Sequence, residues 1–183
     1  FAETDPERLQ QLLLQSVRDH LRCDWAGLYL RKPGENATCI QAQMGEPLAE
    51  VNLPALQNTM RIVEQEQLSR SFSTETCADE ELGSFLRLNR LEALLIAPLS
   101  KSAHVNDQSR ILLAGRGFGK AQFCPSELET AAILARQAGV ALENARLHAE
   151  LRAKIRQVEE SQKALIQTEK MAIAGRLSAS IAH

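Results

Sequence analysis

The chain has 183 residues, 44% of them hydrophobic, and a formal net charge of −2. That is one domain, or one domain with an appendage, with enough apolar side chains for a core and no basic footprint for nucleic acid. The longest apolar runs, such as Ala93 to Leu99, are too short to span a bilayer and no signal peptide opens the chain, so a soluble, cytoplasmic protein without a membrane span is expected.

In chain order, Pro6 to Leu21 reads as an amphipathic helix. Asp5 can cap it, Pro6 suits its first turn, and Leu9, Leu12, Leu13, Val17 and Leu21 form one stripe. Trp25 to Arg31 follows as a strand in which Ala26, Leu28 and Leu30 alternate with Trp25, Gly27 and Tyr29. Lys32 to Ala37 is a turn, and a second strand from Thr38 to Met44 pairs back as a hairpin, ended by Gly45, Glu46 and Pro47. Leu56 to Leu68 reads as a helix on Leu56, Met60, Val63 and Leu68, and Ser69 to Thr76 as a short edge strand. Asp79 to Asn89 is a helix burying Leu82, Phe85, Leu86 and Leu88, with acids in its first turn. Ala93 to Leu99 and Arg110 to Gly115 are apolar strands joined by a polar loop at His104 to Gln108, and the second runs into the turn GRGFG.

From Phe123 the pattern turns helical. Ser126 and Glu129 have capping-box spacing, and Leu128, Ile133, Leu134, Ala138, Val140, Ala141, Leu142 and Ala145 continue without a breaker beyond Gly139. No proline occurs between Ser126 and His183, so one helix can run to the end. Past Leu147 the apolar seam narrows to Leu151, Ile155, Val158, Gln162 and Leu165, alternating by four and three as in a coiled coil. Cys23, Cys39, Cys77 and Cys124 show neither CxxC nor CxxH spacing, so no metal site or disulfide framework is expected.

The last stretch, EKMAIAGRLSASIAH from Glu169 to His183, keeps Met171, Ala174, Ser178 and Ile181 on one helical side, with Ile173 and Leu177 beside them. It resembles the start of the dimerisation and phosphoacceptor (HisKA) helix of bacterial-type sensor histidine kinases. That helix has the form EKMAALGxLxAxIAH and ends on the histidine that takes a phosphoryl group. The resemblance implies His183 as the catalytic phosphoacceptor, its imidazole attacking the γ-phosphate of ATP. The acidic residue and Asn-Pro that follow that histidine in the family are not in the sequence, nor is an ATP lid. ATP therefore belongs to a separate kinase domain, and a chain that starts on Phe1 is expected to be a sensor module excised from a larger kinase.

Upstream, Phe123 to Leu151, FCPSELETAAILARQAGVALENARLHAEL, and the strand LIAPL at Leu95 to Leu99 resemble a GAF domain, and the order of elements agrees with it. This implies an α+β GAF fold, a central antiparallel sheet flanked by helices with a pocket in front, followed by a long C-terminal coiled-coil helix. The expected divisions are a GAF sensor domain at 1–150, a signalling helix at 151–168 and the start of the phosphoacceptor helix at 169–183.

The pocket's ligand is left open by the residues. Cys77 precedes Ala78 and Cys124 precedes Pro125, so the Cys-His pair of bilin-binding GAF domains is absent. So is the NKxxF pattern of cyclic-nucleotide GAF domains. His20, His104 and His148 read as solvated rather than as haem ligands. A methionine sulfoxide reductase-type GAF enzyme is the enzymatic alternative, though it needs clustered cysteines. The GAF-bearing sensor kinases of cyanobacteria and chloroplasts supply a redox alternative. In it an iron–sulfur cluster or redox thiols would use Cys23 and Cys77, against the plainer reading of these residues as buried thiols.

The sequence is thus read as the sensory module of a two-component sensor histidine kinase. A small-molecule or redox signal in the GAF domain would reach His183 through a parallel homodimeric coiled coil, with a response regulator as the partner of the full-length kinase. The alternative is a ligand-binding GAF module of a non-kinase signalling protein.

Overall fold

The computed structural model describes residues 6–31, 38–46, 48, 54–99 and 109–181. Along them run α1 (Pro6–Leu21), β1 (Trp25–Arg31), β2 (Thr38–Met44), α2 (Pro54–Glu66), β3 (Arg70–Ser73), α3 (Glu80–Leu88), β4 (Leu91–Pro98), β5 (Ser109–Gly117) and α4 (Pro125–Ile181). Expectations placed on Asp5, the Lys32–Ala37 turn, Pro47, the His104–Gln108 loop and His183 fall outside the described residues.

The strands form one antiparallel sheet in the order β2-β1-β5-β4-β3. The β1–β2 hairpin expected from the sequence is present, with a bulge between Leu28 and Tyr29 that shifts the register from Leu28–Ala42 to Tyr29–Ile40. β3 is an edge strand paired to β4.

Both faces of the sheet are covered, which explains why β4 and β5 read as unbroken apolar runs rather than as alternation. On the back face Ala26, Leu28, Ala93, Leu95, Ala97, Leu112 and Ala114 pack with Leu13, Leu14, Val17 and Leu21 of α1 and Ala131, Ala135 and Leu142 of α4. On the front, Trp25, Tyr29, Leu94, Ile96, Ile111 and Leu113 pack with Leu56, Met60 and Val63 of α2 and Leu82, Phe85 and Leu86 of α3. The arrangement is helix, sheet, helix.

Several side chains depart from expectation. On α1 it is Leu14 that is buried and Leu12 that is exposed, because the stripe runs through Leu13, Leu14, Val17 and Leu21, one position round from the leucine spacing. Leu88 is exposed at the last turn of α3, and Leu68 lies beyond the end of α2 and is exposed as well. The face of α4 against the sheet is lined by small residues, Ala131, Ala135 and Gly139, while Ile133 and Val140 point to solvent.

The start of α4 is also displaced from the Ser126–Glu129 box. Pro125 is its first residue, and the Cys124 carbonyl accepts from Leu128 N–H at 3.1 Å while Glu127 Oε2 accepts from Cys124 N–H at 2.9 Å. The reciprocal carboxylate of a capping box is therefore Glu127, three residues after Cys124. α3 begins at Glu80 rather than Asp79, which is instead its N-cap, with Asp79 Oδ1 accepting from Glu81 and Leu82 N–H.

The chain divides into two compact units, Phe1–Glu143 and Asn144–His183. The first holds the sheet. In the second, Leu147, Leu151, Ile155, Val158 and Leu165 are all exposed, among ion pairs of Glu150 with Arg146 and Lys154.

Candidate functional site

The front face of β1 carries Trp25, Gly27, Tyr29 and Arg31 at successive period-two positions. Gly27 has a reason in this geometry. A Cβ there would lie 2.6 Å from the Trp25 ring and 2.8 Å from the Tyr29 ring, so only glycine lets the two aromatics lean together over the strand. Their centroids are 6.1 Å apart with planes tilted by 46°. Across on β5, Leu113 faces Gly27, Ile111 faces Tyr29 and Ser109 faces Arg31. α2 and α3 close the layer with Leu56, Met60, Phe85 and Leu86, each wholly buried.

Polar groups in this layer divide into paired and unpaired. Arg31 donates from both Nε, at 3.0 Å, and Nη2 to Oε2 of the buried Glu64, so an ion pair ties β1 to α2 at the margin of the layer. Trp25 Nε1, Tyr29 OH and Ser109 Oγ are buried without a hydrogen-bond partner among the described residues. Burial pushes the Tyr29 hydroxyl well above the usual tyrosine range, so it stays protonated.

On the back, Arg116 gathers the ends of three segments. Its Nη2 donates to the Leu21 carbonyl that ends α1 and to Glu127 Oε1, both at 2.5 Å; its Nη1 donates to the Ala121 and Gln122 carbonyls at 3.1 Å. The guanidinium also stacks on Phe123, 4.2 Å from the ring centroid. Its hydrogen bonds hold the Glu127 carboxyl below the usual glutamate range despite partial burial. A side chain first read as part of a glycine-rich turn thus joins the end of α1 to the start of α4.

The residues nominated from the sequence are scattered. Cys23 lies in the back core, its Sγ near the Val17 carbonyl at 4.0 Å, and burial pushes its thiol up to about 11. Cys77 packs against the front core, with Sγ donating to the Asp79 carbonyl at 3.3 Å. On opposite faces of the sheet they do not fit a shared iron–sulfur centre, and among the described residues no group of three or more His, Cys, Asp and Glu side chains could hold a metal ion. His20 is exposed on α1 and hydrogen-bonds the Ser16 carbonyl, and His148 is exposed on α4. The orphaned aromatic pair was not singled out from sequence, although Trp25 and Tyr29 are the chain's sole tryptophan and sole tyrosine, spaced on one strand face about a glycine.

No family model and no curated protein matches the sequence. Solved structures do resemble it. GAF3 of Slr1393 from Synechocystis sp. PCC6803, in its photoproduct state, shares 20% identity at a TM-score of 0.64 over 80% of this chain and 99% of that one. The GAF-B domain of DevS from Mycobacterium smegmatis shares 20% at 0.60, over 80% and 99%. A domain assigned to a two-component sensor histidine kinase of Sinorhizobium meliloti 1021 shares 18% at 0.56, over 80% and 97%. Among the described residues no helix is long and apolar enough to cross a membrane. The five-stranded antiparallel sheet with its flanking helices and long C-terminal helix has the GAF fold.

Proposed function

We propose that this chain is the sensory module of a two-component sensor histidine kinase, in which an event in the front layer of the GAF fold is passed along α4 to the phosphoacceptor His183. The observation that carries the reading is α4 itself. One unbroken helix begins at the Cys124 cap of the GAF fold and continues through the motif Glu169–Ile181, two residues short of His183. A helix transmits displacement or rotation because its backbone hydrogen bonds keep it stiff over many turns. The module works as a parallel homodimer through Leu151, Ile155, Val158 and Leu165, so that two copies of His183 meet in one bundle, and the full kinase hands its phosphoryl group to a response regulator.

In a protein that carries this segment joined to an ATP-binding kinase domain, labelled ATP is expected to give an acid-labile, alkali-stable phosphoryl group on histidine. His183→Gln removes the label and leaves the thermal transition of the sensor unchanged. Label that persists in the variant overturns the assignment.

A further inference from the structure

Trp25 is 3% exposed and Tyr29 not at all, their rings meet over Gly27, and neither Nε1 nor OH has a partner among the described residues. Native interiors pair the large majority of buried polar side-chain atoms, because an unpaired one loses its hydration for nothing in return. Two such atoms on adjacent rings are therefore an expensive way to fill space that phenylalanine would fill without loss. We propose that the Trp25 indole N–H and the Tyr29 hydroxyl are recognition groups for an uncharged small molecule carrying a hydrogen-bond acceptor, held between the front of the sheet and α2–α3. The proposal rests on reading the front layer as the sensing site and names the class of ligand it takes.

The acceptor follows from the indole, which can only donate. Absence of charge on the ligand follows from what is left to neutralise it. Among the described residues the buried charged side chains are Glu64 and Arg116. Glu64 is held by Arg31, and Arg116 is held by Glu127 on the opposite face. An ionised ligand in this layer would be desolvated without a counter-charge, whereas a carbonyl or an aromatic ring nitrogen would satisfy the donors at no such cost. The surrounding side chains are aliphatic or aromatic, so the rest of the molecule is apolar. Since the layer is shut to solvent, admitting a molecule has to part α2 or α3 from the sheet, and that displacement is the signal.

The sole tryptophan makes the test clean, because the chain has a single indole N–H resonance. Acetophenone, an uncharged aromatic ketone, is titrated into the ¹⁵N-labelled 183-residue chain, with ethylbenzene as its counterpart lacking the acceptor. Acetophenone is expected to move the indole proton downfield and to saturate, ethylbenzene is not, and Tyr29→Phe weakens the acetophenone response about three- to tenfold. The same variant, measured without ligand, should keep or raise its Tm, since it removes a hydroxyl that no described residue pairs. An indole resonance that acetophenone leaves in place, or that ethylbenzene moves equally, overturns the proposal. So does a lowered Tm for Tyr29→Phe, which would mean that the hydroxyl is paired in the free protein. Histidine labelling reads the kinase assignment separately, so failure of one result is distinguishable from failure of the other.

Discussion

Gly139 of α4 approaches the backbone of Leu99 so closely that a Cβ on it would stand 2.1 Å from the Leu99 carbonyl oxygen and 2.8 Å from its carbonyl carbon. Leu99 directly follows β4, whose Leu94 and Ile96 line the front layer. A shift in that layer therefore meets α4 backbone to backbone, with no side chain between to absorb it.

That contact predicts opposite signs for two glycine substitutions in helices. Gly139→Ala gains up to about 1 kcal/mol of helix propensity. It must also displace backbone, and overpacking of this kind costs about 1–3 kcal/mol or more. The net effect is a lower Tm and greater hydrogen exchange in the first turns of α4. Gly83→Ala on α3 meets nothing nearer than the Arg87 guanidinium at 3.7 Å and should be neutral or stabilising by up to about 1 kcal/mol. Equal effects from the two would refute the packing argument.

Gly27→Ala tests the aromatic pair. Its Cβ has to push the Trp25 and Tyr29 rings apart, and with α2 and α3 packed above them the expected loss is about 1–3 kcal/mol. Because there is a single tryptophan, its fluorescence maximum should shift as the ring moves. An unchanged spectrum and midpoint in denaturant would show that the rings are not fixed by this glycine.

The Arg116–Glu127 pair predicts a pH-dependent contribution. Arg116 keeps the folded-state pKa of Glu127 depressed, so the stabilisation is fully present above the unfolded glutamate value of about 4.3 and is lost as pH falls through the lower folded value. Glu127→Gln is expected to cost about 1.5–3 kcal/mol near neutrality, with the gap to wild type closing in acid. Denaturant midpoints at a series of pH values check this, and a gap that widens on acidification would reverse the argument. Arg116→Ala should cost more, about 3–5 kcal/mol, because it leaves the carboxylate and the Leu21, Ala121 and Gln122 carbonyls without their donor.

The proposed dimer predicts a mass. Leu151, Ile155, Val158 and Leu165 are all about half exposed or more, and burying the remaining surface of each against a second helix contributes about 1–2 kcal/mol. Light scattering should give twice 20.2 kDa, and Ile155→Asp with Val158→Asp, or truncation after Glu150, should weaken association markedly. A concentrated intact chain that remains monomeric sinks the coiled-coil interface, and a truncated chain that still dimerises moves it elsewhere.

The elements themselves were legible because periodicity is a local property. The bounds expected for α1, β1 and β2 are those observed, and the runs at β4 and β5 announced buried strands. Helix ends were less legible. α2 stops at Glu66 with Gln67 rather than glycine in the left-handed position, and past α3 it is Arg90, after the Asn89 cap, that takes it, so the usual stop signal is missing from the sequence at both. Periodicity also states which residues share a face but not what covers it, hence the exchange of Leu12 for Leu14. The strand order places β5 between β1 and β4, and only that order brings Ile111 and Leu113 beside Tyr29 and Gly27. Only the folded chain places Cys23 and Cys77 on opposite faces, Arg116 against the end of α1, and Gly139 on the Leu99 carbonyl. Those contacts join residues far apart in the chain, and their geometry depends on how strands and helices cross, which no local pattern carries.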